Sequence, residues 1–276
     1  MLNRGSFLRA LAALACLHGV VGHAQERERL ETFVPRLSDA EAQLDHARRV
    51  KRTMYERRED ARPFWRKLAV EAYQAVRAFH PDERERCVEG AFRAGELLRA
   101  GGDDDGALEE FAWAAQQAAG DFSTRARLEI GHLHRRNERS RLALDAYLDV
   151  AGNPRATASR RDDAWLWAGQ VWRAKGRIED ARRAWRRVAE RAHDPLDRIR
   201  AFDLLGALWL AENDLEAACG VLNECLRDLA EAALEETSRG EEVRNALLRM
   251  RIVDELPRAI ARRNSSSQNT GTSRKS

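Results

Sequence analysis

From residue 88 to residue 228 the large apolar side chains fall on helical stripes that recur, in nearly the same layout, four times. The clearest stretch sets Trp165, Gly169 and Trp172 at spacings of four and three, then Ala181 and Trp185 four apart, which puts each set on one side of a helix. A glycine marks the register of each copy: Gly95, Gly131, Gly169 and Gly206, separated by 36, 38 and 37 residues. Twelve residues after each glycine stands an alanine (Ala107, Ala143, Ala181, Ala218), and four further on a bulky residue (Phe111, Tyr147, Trp185, Leu222). Leu98, His134, Trp172 and Trp209 come three residues after the glycines, and Ala91, Arg127, Trp165 and Phe202 four before them. Small residues held between bulky ones mark the places where two helix backbones approach closely.

Between the glycine and the alanine the chain must reverse. The seventh residue after each glycine is Gly102, Glu138, Gly176 or Asn213, and three of these four suit the left-handed backbone that closes a helix. Acids suited to a helix start follow in Asp103-Asp104-Asp105 and Glu179-Asp180. Each copy therefore predicts a pair of antiparallel helices. A lone hairpin cannot bury both of its faces, so the copies must stack.

This layout resembles the tetratricopeptide repeat family, whose pattern runs large residue, glycine, large residue, turn, alanine, aromatic. The resemblance implies an all-α solenoid of helical hairpins closed by N- and C-terminal capping helices, with units at about 88–123, 124–161, 162–198 and 199–228. The second unit departs most, with Arg127 and His134 where large apolar residues are usual. Units of 36–38 residues are longer than the family norm, as in envelope-associated bacterial members. The resemblance also implies that the protein works by binding others, with the first helix of each unit lining a concave face.

Outside the repeats, Ser38-Asp39-Ala40-Glu41 reads as a capping box opening a charged helix to about Asp60, and Arg62-Pro63 starts a second helix ending near His80-Pro81. Residues 38–81 are thus a cap or a degenerate repeat, joined through a linker, 25–37, to the N-terminus. At the other end a capping helix is expected over 241–262, set off by Gly240, and a polar, disordered tail over 264–276. Residues 1–24 carry a positive start (Arg4, Arg9), an apolar run and Gly22-His23-Ala24, the pattern of a secretory signal cleaved before Gln25. Export to the periplasm or beyond is the resulting expectation, with lipid anchoring through Cys16 as the alternative. The apolar run falls short of the ~20 residues that span a bilayer, so no integral membrane segment is expected in the mature chain.

Charge excludes more than it suggests. The chain carries 48 basic and 45 acidic residues, and the first 24 hold two bases and no acid, so the mature part is nearly neutral and gives no argument for nucleic acid. Three cysteines remain after cleavage, Cys87, Cys219 and Cys225; an odd number is no disulfide framework, and the last two lie ~9 Å apart along one helix. His132 and His134 point ~200° apart on a helix and cannot chelate one metal, and the acidic run 101–106 lacks the end ligands of a calcium loop. No phosphate loop, nucleophile elbow or dinucleotide fingerprint occurs. No catalytic residue, metal or cofactor is therefore assigned, and a binding role is expected: a scaffold or adaptor, or a non-catalytic accessory subunit of a cell-envelope or cell-wall processing enzyme.

Four residues after the glycines stand Arg99, Arg135, Arg173 and then Leu210. Three consecutive units thus present arginine at equivalent places, a ladder suited to a protein or acidic peptide, although arginine near a helix C-terminus also complements the helix dipole. Trp113 and Trp167 lie off the packing positions and are candidates either for a contact surface or for packing between repeats, whereas Trp165, Trp172, Trp185 and Trp209 are expected in the core.

Overall fold

The structure, a computed structural model, describes residues 34–117 and 120–272, with side chains followed to residue 264. The expected signal segment 1–24, with Cys16, and most of the linker lie outside the described residues. Among the described residues twelve α-helices follow one another: α1 (Ala40–Glu56), α2 (Arg62–Phe79), α3 (Arg84–Ala100), α4 (Asp104–Gln116), α5 (Gly120–Arg136), α6 (Ser140–Ala151), α7 (Ala158–Ala174), α8 (Ile178–Arg191), α9 (Pro195–Ala211), α10 (Leu215–Leu234), α11 (Ser238–Leu248) and α12 (Arg251–Thr272). No strand occurs among the described residues. The four sequence repeats are the successive helix pairs α3–α4, α5–α6, α7–α8 and α9–α10. Each of their first helices is 17 residues long, and so is α1, which accounts for the long period.

The four turns have one geometry. Gly102, Glu138, Gly176 and Asn213 all have positive φ, at 86°, 57°, 72° and 60°. In each, the next residue's N–H reaches back to the carbonyl of the residue three after the repeat glycine: Asp103 to Leu98, Arg139 to His134, Arg177 to Trp172 and Asp214 to Trp209, at 2.8–3.0 Å. This is the Schellman closure, which satisfies helix-end carbonyls that would otherwise lack a donor. The same four residues cap the following helix, whose first carbonyl bond comes from the N–H of the repeat alanine (Ala107, Ala143, Ala181, Ala218). Those alanines are fully buried. Asp103 and Asp214 add a side-chain cap, to Gly106 N–H and Ala217 N–H at 2.9 Å, which Arg139 and Arg177 cannot.

The chain divides into two compact units, residues 1–133 and 134–276, with the boundary inside α5. In the first, α1 and α2 form a hairpin against α3, with Leu44, Tyr73, Val76 and Phe79 in its core. Asp39, not Ser38, caps α1 by accepting from Ala42 N–H at 2.8 Å, and α1 ends at Glu56, before the short 3-10 turn Glu59–Ala61. The buried Gln43 ties the preceding segment down, donating to Pro35 O and accepting from Leu37 N–H, both at 3.1 Å. A second cluster packs Phe92, Phe111 and Phe122 at centroid distances of 5.6 and 5.3 Å. A Cβ on Gly95 would lie 2.7 Å from the Phe111 ring, so glycine is what lets α3 and α4 meet. Arg127, the apparent misfit of the second repeat, donates to Ala115 O in the last turn of α4 at 3.1 Å.

In the second unit one core runs from Leu166 to Leu256, centred on Trp185, whose indole donates to Leu166 O at 3.1 Å. A Cβ on Gly169 would fall 2.2 Å from that indole nitrogen. The fourth glycine behaves differently: the atom over Gly206 is Cδ1 of Ile252, on α12, and Leu222 is only partly buried. The C-terminal cap also differs from expectation. It is two helices broken at Arg249-Met250, and the backbone stays helical to Thr272, into the segment expected as a disordered tail. Gly240 lies inside the first turn of α11, where a Cβ would strike Glu235 O at 2.1 Å, so its smallness serves packing and not separation.

Cys87 and Cys225 are buried and Cys219 half-buried, all as free thiols. Burial pushes the Cys87 thiol up to about 11 and the Cys225 thiol to about 12, so neither is a thiolate near neutrality.

Candidate functional site

The three ladder arginines have three different surroundings. Arg99, at the end of α3, is half-buried in an ion pair with Glu129 of α5. Arg135, at the end of α5, is exposed and lies over the Trp167 ring at 4.6 Å. Arg173, at the end of α7, is exposed and stands 6.0 Å from the Trp185 ring. No carboxylate pairs with Arg135 or Arg173 among the described residues.

Side chains of α5, α6 and α9 gather on Trp167 of α7. Besides Arg135, Arg200 of α9 covers it at 5.0 Å and Tyr147 of α6 stacks nearly parallel at 6.5 Å, 20° between planes. Since α5, α7 and α9 are first helices of successive repeats, this face is the one expected to bind. On this half-buried ring each guanidinium gains roughly 0.5–1 kcal/mol or somewhat more and is held at a fixed place. Sequence spacing did not single out Arg200, which sits six residues before Gly206 and not four after it.

The face is divided in charge. Toward the starts of α7 and α9 lie Asp162, Asp163, Asp194 and Asp197, and Arg200 donates to Asp163 at 3.3 Å. Burial, together with Asp194, Asp163 and Asp162, pushes the Asp197 carboxyl up to about 6 against the pull of Arg200. Unpaired positive charge therefore sits at the other edge, at the ends of α5 and α7, where the main-chain carbonyls already favour cations.

The remaining tryptophans divide otherwise than expected. Trp185 is buried, but Trp165, Trp172 and Trp209 are only half-buried. Trp165 and Trp172 stack on one another at 6.3 Å and, with α8, line a cleft of about 630 Å³. Trp113 is a packing residue, wedged between the two clusters of the first unit with Arg77 over its ring at 4.7 Å. No group of three or more histidine, cysteine or acidic side chains among the described residues is arranged to hold a metal ion, and no helix among them is long and apolar enough to cross a membrane.

No protein-family model matches the chain, and no curated protein matches it. Among solved structures it is similar to the MamA protein, at 18% identity and a TM-score of 0.52, over 72% of this chain and 96% of that one. A Podosopora anserina kinesin light chain protein with nearly identical TPR-like repeats aligns over 72% of this chain and all of its own, at 13% identity and a TM-score of 0.49. Likeness at such identities is one of fold. The four turns of one geometry, the glycine–ring contacts and this likeness together define a tetratricopeptide-like helical-hairpin repeat fold.

Proposed function

We propose that the protein is an exported scaffold that binds an acidic segment of a protein partner along the first helices of its repeats, at the edge formed by the ends of α5 and α7. The observation that carries this is Trp167: an accessible indole gripped by Arg135 and Arg200, with Arg135 and nearby Arg173 lacking any carboxylate of their own among the described residues. An arginine already held on a ring has less freedom to lose when a carboxylate arrives, and its planar fork can engage that carboxylate bidentately. Arg99 reaches a partner only by exchanging Glu129 for it, so its share in binding is smaller. Export rests on the pattern of residues 1–24 and is checked by sequencing the mature N-terminus in an envelope fraction, where Gln25 is expected and a lipid-modified Cys16 would point to anchoring instead.

Crosslinking in native envelopes followed by mass spectrometry should recover a dominant protein partner. Its affinity should fall for Arg135→Ala, Trp167→Ala and Arg173→Ala combined, and fall further with added salt for the wild type than for the variant. A folded triple variant with unchanged affinity and unchanged salt dependence would remove this face from consideration.

A further inference from the structure

The indoles of Trp165 and Trp167, two residues apart on α7, point to different sides of that helix: Trp167 to the face just described, Trp165 into the cleft with α8. The floor of the cleft is the stacked pair Trp165 and Trp172 with Ala184, and its wall is the side of α8 that carries five arginines together with Asp180 and Glu190. Most of those arginines are occupied. Arg182 binds Glu179 at 2.7 Å and Glu212 at 3.1 Å, Arg186 binds Glu224 at 2.6 Å, and Arg183 binds Asp180 at 2.5 Å. Arg187 and Arg191 are exposed and make no direct ion pair among the described residues; Arg187 is held over the Trp165 ring at 5.1 Å, within electrostatic reach of Asp162 on α7.

We infer that this cleft is a second docking site, separate from the Trp167 face, and that its occupant is an acidic amphipathic helix of a partner protein. The shape fits: a groove between two packed helices with an apolar floor accepts a third helix. Arg187 and Arg191, four residues apart, stand ~6 Å apart along α8, the spacing of acids four apart on a helix laid beside it. The Trp165 and Trp172 rings, 6.3 Å apart, match apolar residues four apart on that helix, ~6 Å along its axis. A polyanion such as a nucleic acid would need a run of unneutralised cations, and here three of the five lining arginines are already neutralised within the protein. The third repeat would then hold two acidic segments on two sides of one helix, joining partners or raising the hold on one through two-point attachment.

The cleft stands on its own residues and does not depend on the Trp167 face, and the test keeps the two apart. The probe is a fluorescein-labelled 18-residue peptide with leucine at every third and fourth position and glutamate elsewhere, followed by anisotropy and circular dichroism with the full mature chain. Binding should induce helix in the peptide and weaken about tenfold or more in Arg187→Glu/Arg191→Glu, whose exposed side chains leave the fold intact, while Arg135→Glu/Arg173→Glu changes it by about twofold or less. Loss of binding in the α5–α7 pair alone would overturn the second site and leave the Proposed function in place. Unchanged binding in the α8 pair, or no binding of the peptide, would also overturn it. Tight binding of an 18-nucleotide oligothymidylate through Arg187 and Arg191 in place of the peptide would overturn the assignment to a protein partner.

Discussion

Alanine in place of Gly169 should destabilise the second unit, whereas the same change at Gly220 should stabilise it. Both glycines are helical, on α7 and α10, and at both alanine improves helix propensity by ~1 kcal/mol. What differs is the space. Nothing lies within 4 Å of a Cβ built at Gly220, while at Gly169 the new atom would sit 2.2 Å from Nε1 and 2.7 Å from Cδ1 of the buried Trp185. The indole must retreat by more than an ångström into a fully packed core, at ~1–3 kcal/mol for overpacking, and retreat stretches its hydrogen bond to Leu166 O, worth ~1–3 kcal/mol when a buried donor is orphaned. Against the propensity gain the balance is a loss of roughly 2–4 kcal/mol. At ~2–4 °C per kcal/mol for a chain of this size, the midpoint should fall by roughly 5–15 °C, and Gly220→Ala should raise it slightly. Circular dichroism melts of both variants, with urea titrations to check cooperativity, decide the matter. A Gly169→Ala protein as stable as the wild type would mean that α7 and α8 do not meet at this glycine, and the repeat register would fall with it.

Three further outcomes are expected. Glu138 is exposed and left-handed where other units have glycine or asparagine, so Glu138→Gly should relieve ~1 kcal/mol of backbone strain, partly offset by unfolded-state entropy, and raise the melting midpoint; Gly176→Ala should lower it. The Asp197 carboxyl, raised from 3.8 to about 6, binds its proton more tightly in the folded state, so folding stability drops as pH rises through that interval. Asp197→Asn should therefore stabilise the protein above pH 6, by ~1 kcal/mol after solvent screening of this half-buried group, and do nothing at pH 3; a gain of equal size at both pH values would refute the cause given. Ile252→Ala should cost ~2–4 kcal/mol in urea titrations, and adding Gly206→Ala should cost less than the two single changes summed, because the new Cβ enters the space Ile252 vacates.

Sequence spacing reached as far as contacts within one hairpin. The Gly95–Phe111 and Gly169–Trp185 contacts, the buried alanines and the reversal at the seventh residue all follow from positions fixed relative to one glycine. Even Glu138 adopts the left-handed turn its residue type disfavours, because the closure bonds on both sides impose it. Contacts that join different hairpins were not legible. Nothing local says that Ile252 covers Gly206, that Glu129 claims Arg99, or that Arg200 shares Trp167 with Arg135. The half-burial of Trp165 and Trp172 was hidden for a related reason: their spacing matches the core stripe, and only the placement of α8 leaves one side of each ring open.

Ile252 also closes the series of repeats. Hairpins that offer one another the same surface could in principle continue without limit, and something has to close the series. Here α12 lies on α9 and α10 and puts its own side chain into the hollow at Gly206, while Ile252 N–H bonds Asp203 at 3.1 Å. A fragment stopped after Leu234 would contain every helix of the four repeats and yet present an open, apolar socket ready for any stray helix. The shortest well-behaved fragment must therefore extend beyond Leu256, and trimming the chain back to its recognisable repeats is the route by which a monodisperse preparation would become a sticky one.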